Sequence, residues 1–433
     1  MKWANCCAAK SNCCLANIPL SRWADQHLRQ LARDTGAKSI AALSGADILN
    51  QRLLLSPAPF NAECALSSPL PFRGGAGGGV SQISTNFKNP HLPPITCQFY
   101  RALDDHIALN LSRADDRALL PALFCADLNP DDNTEISRHI GLSPALPLIA
   151  RAREMGLAIA ALHETPPHRA HTILAYGPKR LTPPPVKPFV LDLTALWAGP
   201  LAAHLLWLAG AEVVRVENPN RPDRMRDSNP RLYARLNQGK ASVTLDPRIS
   251  ADRAALLALI ARADIIIESA RPRALYQLGI DASALIKAKA GQVWINITAH
   301  GASGDAANWV GFGDDCAVAG GLSAALLQAT GKLGFVGDAI GDPLTGIYAA
   351  RTAWQALQRR KSARIGIAIS GVVAKALRET CAQSPTKFTE TLRAWGKLQN
   401  PLMASEVETP YPPRTQTIAM RPLGADNSRY LPC

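Results

Sequence analysis

The stretch VLDLTALWAGPLAAHLLWLAGAEVVRVE, residues 190–217, decides the fold class. With Phe189 before it, FVLDLT is an apolar run of strand length. Pro200 suits the first turn of a helix and Gly210 its end, so PLAAHLLWLAG reads as a short buried helix. EVVRVE, residues 212–217, is the next strand. Strand, helix and strand at this spacing make a compact βαβ unit.

The same alternation continues outward. Further strands are expected at 242–245, 263–268 and 293–298, with SADRAALLALIARA and DASALIKAKA as helices between them. This pattern predicts an α/β protein with a Rossmann-like, mainly parallel sheet covered on both faces. Ligands of such sheets bind beyond the carboxyl ends of the strands. The first turn reads TALWAGPLAAH and has no G-x-G-x-x-G, only Gly199 near the helix start. A pyrophosphate cradle needs glycines for close backbone approach, which argues against NAD or FAD. A Walker A sequence and a G-x-S-x-G elbow are also absent.

Upstream, KRLTPPPVKPF at 179–189 holds three consecutive prolines and predicts an extended linker. It divides a smaller α+β domain in 1–178 from the sheet domain in 190–433. Residues 67–94, rich in Gly, Pro and Ser, read as a long loop. Residues 106–112 alternate apolar and polar as a strand does. Asp115 can start a helix, ADDRALLPALF. A further helix ends at Gly156, and LAIAAL follows as a short buried strand.

The 433 residues carry 47 Lys and Arg against 34 Asp and Glu, a net charge of +13. The basic residues are scattered, as in Arg221, Arg224, Arg226, Arg231 and Arg235, and aromatics are only 6%. Nucleic-acid surfaces cluster their cations and interleave them with aromatics, so no nucleic acid is expected as partner. A phosphate-bearing small anion accounts for a basic cleft equally well. Of ten cysteines, Cys6-Cys7 and Cys13-Cys14 are adjacent pairs without metal-binding spacing. His163, His168 and His171 lack an acidic or thiol partner at helical spacing, so no metal is expected. The N-terminus has no apolar signal core, and the longest apolar run, 201–209, is broken by His204. A cytoplasmic protein with no membrane partner is therefore expected.

Six collinear segments resemble CoA-transferase family III, which includes formyl-CoA transferase, carnitine CoA-transferase and α-methylacyl-CoA racemase. They are the opening βαβ stretch, LNQGKASVTLD, ADIIIESARPRALYQLGI, VWINITAHGASGD, GDPLTGIYAARTAWQAL and RRKSARIGIAISGVVAKAL, within residues 189–377. In the N-terminal half, RALDDHIALNLSRADDRALLPALF and LIARAREMGLAIAALHET resemble the family's small domain. That domain ordinarily follows the catalytic Asp and here precedes it, so the order is rearranged or fused. RGGAGGGVSQ, residues 73–82, resembles the glycine-rich loop that some family transferases carry over the active site.

The resemblance implies an acyl-CoA:carboxylate CoA transferase, with coenzyme A as substrate, no permanently bound cofactor and an interlocked homodimer. It implies that the Asp of the Gly-Asp segment is a nucleophile that forms a mixed anhydride and enzyme-bound CoA thioesters. Gly341-Asp342 and Gly346 keep the family's spacing, which makes Asp342 that residue. At a helix start, the dipole and free N–H groups favour its ionised form. A plain N-cap role is the alternative reading of the same Asp. Asp338, in the same FVGDAIGDPLTG stretch, has no counterpart. By position the CoA contacts are Ala195, Leu196, Trp197 and Ala198, then Arg215, Asn218 and Lys240, then Ser269, Ala270 and Arg271. Arg215, Lys240, Arg271 and Arg273 can supply charge for phosphates. Ser269-Ala270 replaces the usual Asn-aromatic pair, and Trp197 replaces a usual Gln or Leu. In GFGDDCAVAGG, Phe312 takes the place of the racemase branch's His, which speaks against racemisation. Asp314 and Asp315 in that stretch cap a helix or line an acyl pocket. A racemase or isomerase, and a non-catalytic CoA-binding protein, are the alternatives.

Overall fold

The computed structural model describes residues 18–55, 96–113, 115–397 and 421–431. The cysteine pairs near the N-terminus and the glycine-rich stretch at 67–94 lie outside them. Helix α1 (Ser21–Thr35) sets Trp23, Ala24, Leu28, Leu31 and Ala32 at helical spacing and buries all five. Two short helices, Lys38–Ala41 and Gly45–Leu49, lead to helix α2 (Gln51–Leu55). Strands β1 (Cys97–Arg101), β2 (His106–Asn110) and β3 (Ala158–Ala161) form an antiparallel sheet. Helices α3 (Asn133–Gly141) and α4 (Ala145–Glu154) pack on it, with Ile107, Leu109, Ile136, Ile140 and Ile149 in one core. This is the expected α+β part.

The larger sheet contains β4 (His171–Lys179), β5 (Phe189–Leu193), β6 (Glu212–Glu217), β7 (Ala241–Thr244), β8 (Ile265–Glu268), β9 (Val293–Thr298) and β10 (Lys361–Ala368). Their spatial order is β4-β10-β9-β8-β5-β6-β7, parallel throughout except for β4 on β10. Ile265 and Ile267 of β8 enter the core on one face, under helix α5 (Ala198–Leu208). Ile266 enters the other with Leu191, Val214 and Trp294, under helix α6 (Ser250–Arg262). Near-continuous apolar strands are what a sheet buried on both faces requires.

Helices α7 (Gly313–Ala319), α8 (Gly341–Gln358) and α9 (Ile369–Gln383) complete the side of the sheet that carries α5. Glycines let them touch. A Cβ on Gly346 of α8 would sit 2.8 Å from the Ala198 carbonyl oxygen of α5. A Cβ on Gly313 of α7 would sit 2.3 Å from the Ala339 carbonyl oxygen just before α8. Val318 and Ala319 of α7 in turn pack against Ala108 and Ala160 of the small sheet.

The predicted division at 179–189 needs correction. Strand β4 lies upstream of it yet pairs with β10 in the large sheet. Being antiparallel, β4 ends at the amino edge of its neighbours, where β5 must begin. The proline segment therefore runs along that edge within one sheet. It is tied there by Arg180 to Asp264 (2.6 Å) and by Asp264 accepting from the Phe189 N–H (2.9 Å). Helix α1 also belongs to the larger body. Trp23 Nε1 donates to Glu379 of α9 (2.8 Å), and Trp354 Nε1 of α8 donates to the Asp34 carbonyl (3.1 Å). Trp23→Ala should destabilise the whole chain by about 3 kcal/mol or more, read as a lower denaturant midpoint for one cooperative transition. Separate release of the N-terminal helices would contradict this packing.

Candidate active site

Chain direction across the sheet reverses between β5 and β8, so the crevice at their carboxyl ends is the topological switch point. Three of the sequence-predicted loops meet there. Leu193 of β5 lies opposite Glu268 of β8, and Asp192 opposite Arg215 of β6. Ala195 and Leu196 are exposed at the end of β5, whereas Trp197 and Ala198 are buried as α5 begins. Leu196 has φ 65°, a left-handed conformation that costs a leucine energy and is held by its surroundings. Ser269 and Arg271 are exposed and Ala270 half-buried after β8. The Ala270 N–H donates to the buried Glu268 carboxyl at 2.6 Å, and burial pushes that carboxyl up to about 7. Asn218 is half-buried after β6 and accepts from the Asn220 N–H (2.8 Å).

Two predicted phosphate contacts are placed elsewhere. Arg215 and Lys240 are fully buried, with side chains 2% and 0% exposed, so they do not face the crevice. Lys240 Nζ donates to Asp192 (2.9 Å), to the Pro200 carbonyl (2.9 Å) and to Asn237 (3.1 Å). Burial brings this ammonium down to about 8 although Asp192 opposes the change. Arg215 donates to Asp223 (2.6 Å) and Glu217 (3.3 Å) and reaches Asp192 (3.4 Å). Alternation along β6 explains this: Arg215 points under α5, on the same face as Val213. Asp223 Oδ2 also accepts the Leu196 N–H (3.0 Å), so the buried network holds the first turn. The exposed cations on these loops are Arg221, Arg224, Arg271 and Arg273.

Asp342 stands on the first turn of α8, partly open to solvent. Around it are Asp314 of α7, Asp338 and Arg52 of α2. Arg52 Nε donates to Asp338 Oδ2 at 2.5 Å, and its Nη2 to Asp338 Oδ1. The same guanidinium lies 5.4 Å from the centre of the Trp197 ring, which links the acid cluster to the first turn. Asp314 Oδ1 accepts the Ala339 N–H at 2.8 Å, and Ala339 is itself left-handed at φ 45°. Burial pushes Asp342 up to about 7; Arg52 and a hydrogen bond with the Gly313 backbone hold it down, while Asp314 and Asp338 raise it. Burial therefore outweighs the groups that favour the ionised form at this helix start. Asp314 is pushed up to about 6, by burial first and by Asp338 second.

Of the two tasks that the sequence left open, Asp315 takes the capping one. Asp315 is buried and caps α7, accepting the Phe312 N–H at 2.9 Å, with Asn110 Nδ2 of β2 also donating (3.3 Å). Asp314 faces Asp342. Sequence reasoning missed Arg52, a lone arginine in QRLLL with no motif around it. It also missed the acids of the buried network, whose partners lie on different strands. Of the loosely clustered histidines, His163 contacts Asp105 (2.8 Å) and His171 contacts the Tyr348 hydroxyl (2.7 Å), each in a different place.

The CoA-transferase family III model matches residues 189–423, more than half of the chain, so the chain belongs to this family. It is 31% identical over 179 residues to succinyl-CoA–D-citramalate CoA-transferase of Chloroflexus aurantiacus, covering 40% of this chain and 44% of that protein. It is 29% identical over 196 residues to the probable fatty acyl-CoA transferase Rv3272 of Mycobacterium tuberculosis, covering 42% and 49%. It is 28% identical over 206 residues to formyl-CoA:oxalate CoA-transferase of Afipia carboxidovorans, covering 42% and 46%. The chain thus spans less than half the length of each of these relatives. Among solved structures, a crystal structure of Rv3272 aligns at 25% identity and TM-score 0.42, covering 48% of this chain and 61% of that one. No helix among the described residues is long and apolar enough to cross a membrane.

Replacing Lys240 by Ala leaves Asp192 short of its nearest cation. Equilibrium unfolding should show a loss of about 3 kcal/mol, the usual cost of breaking a buried ion pair from one side. Full stability with only weakened CoA affinity would instead place Lys240 at the ligand.

Proposed function

We propose that this chain transfers coenzyme A between an acyl-CoA and a free carboxylate, with Asp342 as nucleophile. The observation that carries this reading is the setting of Asp342. It lies on a helix start, partly open, beside the α5 turn, in the segment where the family resemblance puts the nucleophile. In the first step an Asp342 oxygen attacks the thioester carbonyl. The C–S bond breaks, coenzyme A leaves as thiolate, and an acyl-aspartyl anhydride forms. The thiolate then attacks the aspartyl carbonyl, which releases the donor's carboxylate and leaves an aspartyl-CoA thioester. An acceptor carboxylate reverses the two steps and leaves as the new thioester. Electrons and protons balance without a further reactant.

A carboxylate is a weak nucleophile, so the rate rests on positioning and on a suitable basicity. Burial and two neighbouring acids make Asp342 more basic, while Arg52 and the helix start keep part of it ionised at neutral pH. Arg221, Arg224, Arg271 and Arg273 supply positive charge around the carboxyl ends of β6 and β8, where CoA phosphates would lie. Trp197, buried under the Arg52 guanidinium where a Gln or Leu is usual, links the first turn to the acid cluster.

The direct test incubates the protein with an acyl-CoA panel and carboxylate acceptors, scored for new thioester. Asp342→Asn should lower turnover on the order of 10³-fold or more, and mass spectrometry after acyl-CoA and hydroxylamine should mark Asp342 in the wild type. CoA binding without turnover across the panel would favour a non-catalytic role.

Because the attacking group must be ionised, kcat/KM should rise with pH through about 7. Arg52→Gln removes the cation that holds Asp342 down and leaves Asp314 and Asp338 facing it. The rise should then move to higher pH, with activity low at pH 7 and largely recovered by pH 9, and Arg52→Lys should restore part of the shift. An unmoved profile would remove Arg52 from this role.

A further inference from the structure

We propose that His300, Asp315 and Cys316 form a binding site for a divalent metal ion of zinc-like preference. His300 follows β9, and Asp315 and Cys316 are consecutive residues in the first turn of α7. All three are buried, and one donor atom of each lies within 4.8 Å of the other two. His300 Nε2 is 3.9 Å from Asp315 Oδ2, and Cys316 Sγ is 3.8 Å from the same oxygen. Tetrahedral zinc with bonds of about 2.0–2.3 Å sets its donors roughly 3.3–3.7 Å apart. Closure by a few tenths of an ångström brings these two edges to that spacing, and the third, between His300 and Cys316, lies within 4.8 Å and closes by rotation of the imidazole and thiol side chains. Imidazole nitrogen, carboxylate oxygen and thiolate sulfur together are a donor set that zinc accepts and magnesium or calcium does not.

An orphaned atom supports the site independently. His300 Nε2 makes no hydrogen bond although its side chain is only 3% exposed. Buried polar atoms without partners are rare and call for an explanation. Asn110 Oδ1, whose amide donates to the other oxygen of Asp315, is also buried and unpaired. Asp315 thus divides its oxygens. Oδ1 serves the Phe312 N–H and Asn110, and Oδ2 is left to face His300 and Cys316.

The neighbouring cation does not exclude an ion. Arg153, whose charge is felt at His300 and Cys316, is paired with both oxygens of Glu164 at 2.9 Å and stacks on Trp309 at 4.3 Å. Binding removes the Cys316 thiol proton to solvent, and thiolate plus carboxylate then neutralise the divalent charge. The ion would fasten the segment after β9 to the first turn of α7, next to Asp314. A single buried water could satisfy the same imidazole nitrogen, so dependence on the thiol separates the two.

The test treats metal-free full-length protein with Co²⁺ or Zn²⁺, followed by desalting and elemental analysis. Wild type should retain one equivalent more than either Cys316→Ser or His300→Gln, which cancels metal held by cysteines elsewhere. The cobalt form should show tetrahedral visible bands and a near-ultraviolet thiolate-to-cobalt band that Cys316→Ser loses. Zinc should raise the wild-type Tm and leave both variants unmoved. Equal metal content in all three proteins overturns the proposal. So does wild type that retains no metal, an outcome that stands even if a variant fails to fold.

Discussion

The carboxylate of Asp192 is the constraint on which the site depends. It is buried at the end of β5, and a carboxylate in that position is tolerated only if cations accompany it. Lys240 arrives from the start of β7 and Arg215 from β6, so the pairing ties three strands together. Lys240 also binds the Pro200 carbonyl and so fixes the first turn of α5. Arg215 holds Asp223, and Asp223 holds the Leu196 N–H in its left-handed turn. Trp197 follows at once, and over its ring stands Arg52. From the buried ion network to the acid cluster is therefore a short chain of contacts, each with a named partner.

The cluster itself is a balance of charge. Asp314, Asp338 and Asp342 could not all remain ionised in so little water without a cation among them. Arg52 supplies it from residues 18–55, outside the part of the chain that the family model matches. The segment that carries it is anchored by α1 against α8 and α9, so a remote piece of sequence is structurally part of the face that holds Asp342. Close approach of α7 to α8 then requires Gly313, because any side chain there would meet both the Ala339 carbonyl and the Asp342 carboxylate.

Most of the sheet was legible because its signals are local. Apolar runs such as IIIE and VWINIT, and the Pro200 and Gly210 punctuation, fixed strands and helices within a residue or two of where they lie. The motif singled out Asp342, which stands on the first turn of α8. The charged groups were harder to read. A basic residue after a strand looks like a phosphate ligand, but whether it faces solvent or the core depends on strand alternation and on acids far away in sequence. Arg215 and Lys240 faced the core. The domain boundary failed for a related reason. Three prolines mark an extended segment, and an extended segment can run along one edge of a sheet as readily as between two bodies. Nothing in the residues around β4 announces that its partner is β10.

Helix α1 also bears on how the chain is made. Its buried face is covered by residues such as Glu379 and Trp354, separated from their partners by 356 and 320 positions. During synthesis this amphipathic helix emerges before α8 and α9 and must wait until both have left the ribosome before its apolar stripe is shielded. At about 5–20 residues per second, that wait lasts roughly 15 seconds to more than a minute. Strand β4 waits for β10 in the same way. Until those partners arrive, the nascent chain carries an uncovered apolar stripe and an unpaired strand, surfaces of the kind that chaperones bind.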